Sequence, residues 1–542
     1  MSPLTLIFLI PLLTAVVLVF VPARQVRELR GLSLAGTGIP LILAVLVFVN
    51  FDKAALGPGT VAGLVPGPAV HSHAPSKDAS PAVFLEHKNG YKFTEARDWM
   101  PSLGIGYHVG VDGLNVGLLL MGALVAFAAV CCARDIKRRV KEFHILLLLM
   151  TSGILGAFVS LDIFLMYFLH ELALVPTFIM IGVWGHGEDK NYAAIKITLY
   201  LSLGALLALA GLILLYTQAG AHTFDLLLLI DHAGAGGTSL TPGMQETIFG
   251  LLLFGLGILV SLWPFHTWAP LGYAAAPTAT AMMHAGVIKK FGLYMLLRVA
   301  LPLLPDGAQH WAGLLAILAL GNLLWCGLVA LRQKDFTRML GNSSVAHMGF
   351  VFLGIASLNL IGITGAVLVM IAHGLLAALA FGLSGHLYRQ TGSLDMSRMG
   401  GLLRQMPLAG SALLMALFAG CGLPGFANFA GEVTIFFAAW AAGLKTITVI
   451  AAWSALVIGG LYMMRAIRNI LHGPRGGDWA KASDVSPLIA TALGLLLAAL
   501  LVFGFAPWLL TNGIEDEVKK SVLLAKPSAA ASQAQATEAA GR

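Results

Sequence analysis

Apolar runs of about 18 residues or longer recur along almost the whole of this chain, and they decide what it can fold into. An α-helix rises ~1.5 Å per residue, so about 20 apolar residues match the ~30 Å hydrocarbon layer of a bilayer. In lipid the backbone must satisfy its own hydrogen bonds, and runs of this length do so as helices. Only 11% of the 542 residues are charged and 58% are hydrophobic, against about 25% charged in an ordinary soluble domain. The expected fold class is therefore all-α, a polytopic membrane protein.

Fourteen spans are expected, near residues 4–22, 32–50, 114–132, 145–160, 162–184, 192–217, 247–268, 274–300, 311–331, 338–357, 363–388, 407–440, 446–468 and 487–510. The first run has no basic n-region and no small-residue cleavage site, so it reads as a retained helix. The loops after odd-numbered spans hold Arg24, Arg27 and Arg30, then Lys137, Arg138, Arg139 and Lys141, then Lys190. Later ones hold Arg332, Lys334 and Arg338, then Arg389, Arg398 and Arg404, then Arg468, Arg475 and Lys481. The loops 219–246, 301–310 and 358–362 on the other side contain no Lys or Arg. This asymmetry places the basic loops in the cytoplasm and both termini outside. It also accounts for the net charge of +7 without invoking nucleic acid. The long polar loop 51–113 reads as an outer-face cap. The Ala/Ser/Gln-rich tail from about residue 512 reads as frayed.

Two spans are interrupted by proline. The seventh reads GILVSLWPFHTWAPLGYAAAPT, with Pro264 and Pro270, and the twelfth reads FAGCGLPGFANFAGEVTIFF, with Pro424. Proline removes a backbone donor, and the freed carbonyls are tolerated at membrane depth only against protein or a watery cavity. The breaks fall five spans apart, the pattern of two inverted five-helix repeats with broken helices seven and twelve. The expected organisation is 1–113 for two helices and the outer loop, 114–144 for the third helix and a basic loop, 145–300 and 301–470 for the two repeats, and 471–542 for the last helix and a flexible tail.

Ionisable side chains inside these spans carry the chemistry. Lys290 sits in TATAMMHAGVIKKFGLYMLLRVAL, Glu171 in LDIFLMYFLHELALVPTF, and Glu432 just past the break in the twelfth span. A charge at membrane depth costs a few kcal/mol or more unless paired or hydrated, and it marks an ion or proton path. Lys289 cannot share a helix face with Lys290 and reads as a structural partner. His266, His284, His347 and His373 lie one each in spans seven, eight, ten and eleven. An isolated membrane histidine is often only an interhelical hydrogen bond, whereas four of them suit a proton relay. Lys196 opens the sixth span, as an interface anchor or part of an entry path. Asp112, Asp162, Asp395 and Arg398, at span ends or in loops, read as structural anchors. Together the buried groups should form a continuous hydrated row halfway through the lipid.

Cys131, Cys132, Cys326 and Cys421 form no CxxC and no Cys/His cluster, so no disulfide, zinc or iron–sulfur centre is expected. No Walker loop and no GxGxxG after a strand is present, which argues against ATP or dinucleotide binding. The expectation is no cofactor in this chain, with energy coming from an ion gradient or partner subunits.

The runs WPFHTWAPLGYAAAPTATAMMHAGVIKKFGLYMLLR, NSSVAHMGFVFLGIA, MIAHGLLAALAFGLSGHLYRQTGSLDMSRMGGL and LPGFANFAGEVTIFF, with FLHELALVPTF and GVDGLNVGLL, resemble the antiporter-like membrane subunits of respiratory complex I. The resemblance spans roughly residues 105–470 and is strongest to the subunit 4-like, or chain M, branch. It implies proton translocation in the bacterial inner membrane, beside other membrane-arm subunits. NADH, FMN, iron–sulfur clusters and quinone would lie in partner subunits. It further implies that Glu171 is the helix-five glutamate that pairs with a lysine on broken helix seven, that Lys290 links two half-channels, that His347 and His373 continue the link, and that Glu432 exchanges protons at its end. The chain departs from the pattern where the helix-seven lysine would stand, at Leu259, and where an acidic residue would follow the second proline, at Leu271. Rival readings are a subunit of a cation/proton antiporter, membrane hydrogenase or inorganic-carbon uptake complex, and a non-pumping structural paralogue, the last motivated by Leu259.

Overall fold

The computed structural model describes residues 1–52, 90–233, 240–473 and 482–521. Most of the outer loop expected at 51–113, the basic residues Arg475 and Lys481, and the tail beyond residue 521 lie outside the described residues. Among those described, twelve helices are long and apolar enough to cross a bilayer.

The first helices are α1 (Pro3–Phe20) and α2 (Val26–Val49). An antiparallel hairpin follows, β1 (Lys92–Met100) and β2 (Ile105–Val111), in a chain read from sequence as all-helical. Then come α3 (Val116–Cys132), α4 (Val140–Val159), α5 (Ile163–Trp184), α6 (Lys190–Gln218) and the short α7 (Leu226–Ala233). Local chemistry sets several starts. The Asp162 carboxylate accepts the Leu165 amide at 2.8 Å, Asp335 accepts that of Arg338 at 2.8 Å, and Asn359 that of Gly362 at 2.9 Å. These are N-caps that satisfy donors a helix leaves orphaned. Asp395 likewise accepts the Ser397 amide at 2.9 Å and pairs with Arg398 at 3.7 Å.

The seventh span divides into α8 (Pro242–Val260) and α9 (Trp268–Ala275). Residues 278–303 then form one helical run, α10, with wide turns of i→i+5 bonding at His284–Ile288 and Leu296–Ala300. Next are α11 (Pro305–Arg332), α12 (Phe336–Ala356) and α13 (Leu360–Thr391). The twelfth span divides into α14 (Pro407–Gly420) and α15 (Ala427–Ala441). Both interruptions fall where the prolines placed them. The first is held by Asn322 of α11, whose amide accepts from Trp263 N at 2.7 Å and donates to Ser261 O at 3.0 Å and Val345 O at 2.9 Å. Backbone groups freed by a broken ladder are thereby satisfied by a fully buried side chain.

The last described helices are α16 (Lys445–Leu471), α17 (Pro487–Phe505) and α18 (Trp508–Ser521). The expectation that the tail frays from about residue 512 is corrected here, because α18 continues to Ser521. Leu510, Ile514 and Val518 recur every four residues, and all three are buried. That spacing is a one-faced helical stripe.

Two helices form the centre: α12 and α13 are buried along their apolar windows. The outer helices show the opposite pattern. Phe20, Leu199, Leu206, Phe437, Leu456 and Phe505 are each more than half exposed. An apolar surface this broad suits lipid rather than water. At one end of the helices the hairpin clasps α1, with Glu95 accepting from Thr5 Oγ1 and from Ser2 N, each at 2.7 Å. Burial opposes ionisation of Glu95, but these bonds and the Arg97 guanidinium outweigh it and hold its carboxyl below the usual range.

Candidate proton path

Four of the residues singled out from sequence meet in the interior. Lys290 is fully buried on α10, just past the first wide turn. Such turns widen the helix locally and are common at functional sites. Its ammonium donates to Ala285 O and lies 2.9 Å from His373 Nδ1 on α13. Among the described residues no carboxylate lies within 4.0 Å of it, so its contacts are neutral acceptors rather than a counter-ion. The His373 ring faces that of His347 on α12 at 5.4 Å between centroids. His347 Nδ1 lies 2.8 Å from the Ser343 carbonyl, and Nε2 lies 3.7 Å from Glu432 Oε1 on α15. Donation of the Nδ1 proton to a backbone carbonyl fixes the tautomer. Nε2 is then the atom presented to the carboxyl.

The gaps in this row coincide with small cavities. One of about 20 Å³ is lined by His347, Cys421, Glu432 and Tyr462. Another of about 20 Å³ is lined by Ser343, Ser344, His347 and His373. A water needs about 10–15 Å³ and two to four polar partners, and each cavity meets both conditions. His347 borders both.

Three polar neighbours were not marked as functional from sequence. Ser344 takes the buried Lys289 ammonium on its Oγ at 3.0 Å and its carbonyl at 3.3 Å, so Lys289 points to α12 while Lys290 points to α13. Ser343 Oγ lies 3.0 Å from Tyr462 Oη of α16. The run NSSVAH contained both serines, but nothing in one sequence says which face of α12 meets the cavity.

The remaining candidates stand apart from this row. His284 is buried, with Nδ1 3.4 Å from Tyr273 Oη and Nε2 without a partner. His266 lies buried in the first break with Nδ1 unpartnered. Lys196 is half-buried, 5.6 Å above the Tyr192 ring. Glu171 reaches the edge of the chain: its side chain is 31% exposed, and the ionisable side chain beside it is His170, with Nδ1 3.4 Å from Oε1. Leu259 is buried among apolar side chains. Among the described residues no Lys or Arg lies within 4.0 Å of Glu171.

Glu432 depends on the break before it. Gly422 has φ +67°, and a Cβ there would lie 2.8 Å from Glu432 Oε2. Gly422→Ala is expected to cost about 1–2 kcal/mol for the left-handed backbone alone and to displace the carboxyl from His347. A lower heat-inactivation midpoint with reduced proton translocation would be the measured result.

The match to known proteins follows the same core. Residues 160–459 match the family model described as NADH:quinone oxidoreductase/Mrp antiporter, TM. The chain is 33% identical over 431 residues to NAD(P)H-quinone oxidoreductase chain 4 1 of Picosynechococcus sp., covering 78% of this chain and 79% of that one. It is 32% identical over 424 residues to NADH-quinone oxidoreductase subunit M of Rickettsia prowazekii, covering 77% and 84%. Among solved structures it is similar to a chain of respiratory complex I from Thermus thermophilus with bound NADH, with a TM-score of 0.81 at 25% identity, covering 96% and 100%. A chain of the Mrp complex from Dietzia sp. shares the fold, with a TM-score of 0.78 at 20% identity, covering 96% and 99%.

Proposed function

Because the chain belongs to the NADH:quinone oxidoreductase/Mrp antiporter membrane family, we propose that it is a proton-translocating membrane-arm subunit of a complex I-type NADH–quinone oxidoreductase whose path runs through Lys290, His373, His347 and Glu432. The observation that carries this reading is the 2.9 Å contact between Lys290 Nζ and His373 Nδ1, extended through His347 to Glu432 at 3.7 Å. These are four titratable groups on four helical segments, spaced for transfer directly or through one water.

The physics of the path follows from its dryness. Two positive charges 2.9 Å apart in a poorly polarisable interior repel strongly, so Lys290 and His373 hold one proton between them rather than two. A proton arriving at Lys290 from the cytoplasmic side therefore drives one from His373 onward out of the pair. The His347 Nε2 atom receives it through the cavity below, and Glu432 takes it for release. Hydride and electron transfer belong to partner subunits in this reading, which carry NADH, FMN, iron–sulfur clusters and quinone. A charge change at the partner's end of the membrane arm would set the first transfer in motion. The chain crosses the bacterial inner membrane many times, and the Lys/Arg distribution supports termini on the outer side.

Glu432→Ala tests the reading at the end of the path. In sealed vesicles carrying the assembled enzyme, NADH oxidation coupled to acidification is expected to fall sharply while the subunit stays in the complex. An unchanged proton-to-electron ratio would refute the assignment and leave the chain a structural member of the arm.

A further inference from the structure

Glu171 and His170 are adjacent on α5, and adjacent helical residues point about 100° apart. Their side chains nevertheless converge, with His170 Nδ1 3.4 Å from Glu171 Oε1. Both atoms are buried, and neither has a hydrogen-bond partner among the described residues. The Glu171 side chain as a whole is 31% exposed, so one carboxyl oxygen is turned inward while the rest of the side chain reaches the surface of the chain. A carboxyl oxygen this close to an imidazole nitrogen is placed to exchange a proton with it.

His170 also faces the interior. The residue is 1% exposed, and its ring lies parallel to Phe291 at 3.9 Å between centroids and 11° between planes. Phe291 directly follows Lys290. His284, whose Nε2 is unpartnered, lies within electrostatic reach of His170, Lys289 and Lys290 together. His170 therefore joins a carboxyl at the edge of the chain to the helix that carries the buried lysine.

We infer that His170 is the titratable partner of Glu171 and carries a proton between that carboxyl and the Lys290 row. In the transfer, the O–H bond of the Glu171 carboxyl breaks as an N–H bond forms on His170 Nδ1, leaving a carboxylate and an imidazolium. The N–H bond of Nε2 then breaks as that proton passes inward to a neutral base beside the lysines, where the His284 Nε2 atom stands without a partner among the described residues; the imidazole is neutral again, and Glu171 takes a fresh proton from its exposed side. The inference rests on the proton-translocating reading above, and it supplies that path with an entry from the side of the chain where Leu259 offers no cation. The competing role is packing alone, a flat ring filling the space over Phe291.

His170→Phe separates the two roles, because phenylalanine keeps the aromatic stack and cannot hold a proton. In sealed vesicles with the assembled enzyme, the proton-to-electron ratio of His170→Phe is expected to fall to that of Glu171→Gln. The double variant should fall no further, as for two groups acting in one step. A wild-type ratio in His170→Phe overturns the inference. Should that variant fail to assemble, His170→Gln, which cannot be protonated in this range, gives the same comparison. Lys290→Met run in parallel separates the failures. If it loses coupling while His170→Phe does not, only the role of His170 falls. If Lys290→Met keeps the wild-type ratio, the proton-translocating reading falls with it.

Discussion

Lys290→Met is expected to leave the complex assembled and to lower proton translocation at least about tenfold, a change of ~1.4 kcal/mol in the barrier of the limiting transfer. The ammonium is fully buried and, among the described residues, its polar contacts are Ala285 O and His373. No carboxylate is left uncompensated when it goes, so the fold should tolerate the change. Methionine also fills most of the volume of the lysine stem, which limits the cavity left behind. Lys289 cannot take over, because it is committed to Ser344 on a different helix face. The check is the acidification rate of sealed vesicles against the rate of NADH oxidation, together with recovery of the subunit in the purified complex. Wild-type coupling would mean that no proton passes this residue.

Arg298→Ala and Asp112→Ala are expected to produce the largest losses of stability. Arg298 Nη2 lies 2.6 Å from Asp112 Oδ1, with side-chain exposures of 2% and 0%. The guanidinium also donates to Tyr91 Oη at 2.8 Å and Tyr294 Oη at 3.2 Å. Asp112 in turn accepts the Leu114 amide at 2.9 Å at the start of α3. Removing one member strands the other charge in a dry site, which costs about 3–5 kcal/mol. Replacing both together with apolar residues of similar volume should cost much less, because no unpaired charge remains. Heat-inactivation midpoints of the assembled enzyme give the comparison, and single variants that melt with the wild type would show that the pair is not buried in the complex.

Glu517 of α18 completes this cluster. Burial first, and then the Asp112 carboxylate, push its carboxyl well up from the usual range, while Arg298 and Lys520 pull the other way. A carboxyl raised in the folded state stabilises fully below its ordinary value of about 4.3 and loses that contribution as pH rises through the raised value. The docking of α18 should therefore weaken toward alkaline pH.

Much of the site could be read from residue types and their depth. Lysine and glutamate inside apolar runs have no inexpensive role in lipid, so Lys290 and Glu432 stood out, and proline marked both broken helices. His347 and His373 were visible as histidines but not as neighbours, because their meeting depends on how α12 packs against α13. Lys196 and His266 carried the same signal as His373, yet they lie apart from the row for the same reason. His170 was hidden by its neighbour Glu171, and its role emerges only once Phe291 is seen to lie flat against its ring. The closing helix was obscured by the Ala/Ser/Gln composition that follows it. The four-residue spacing of Leu510, Ile514 and Val518 was a usable signal for it.

The position of α18 bears on how the molecule is made. A Cβ at Gly113 would lie 1.9 Å from the Gly513 carbonyl oxygen, so this helix rests backbone to backbone against the entry to α3. Glu517 leaves the ribosome after all twelve of the described spanning helices. The Arg298–Asp112 pair must therefore survive insertion before α18 covers it, and nascent chains should be most vulnerable to quality-control proteases until α18 settles.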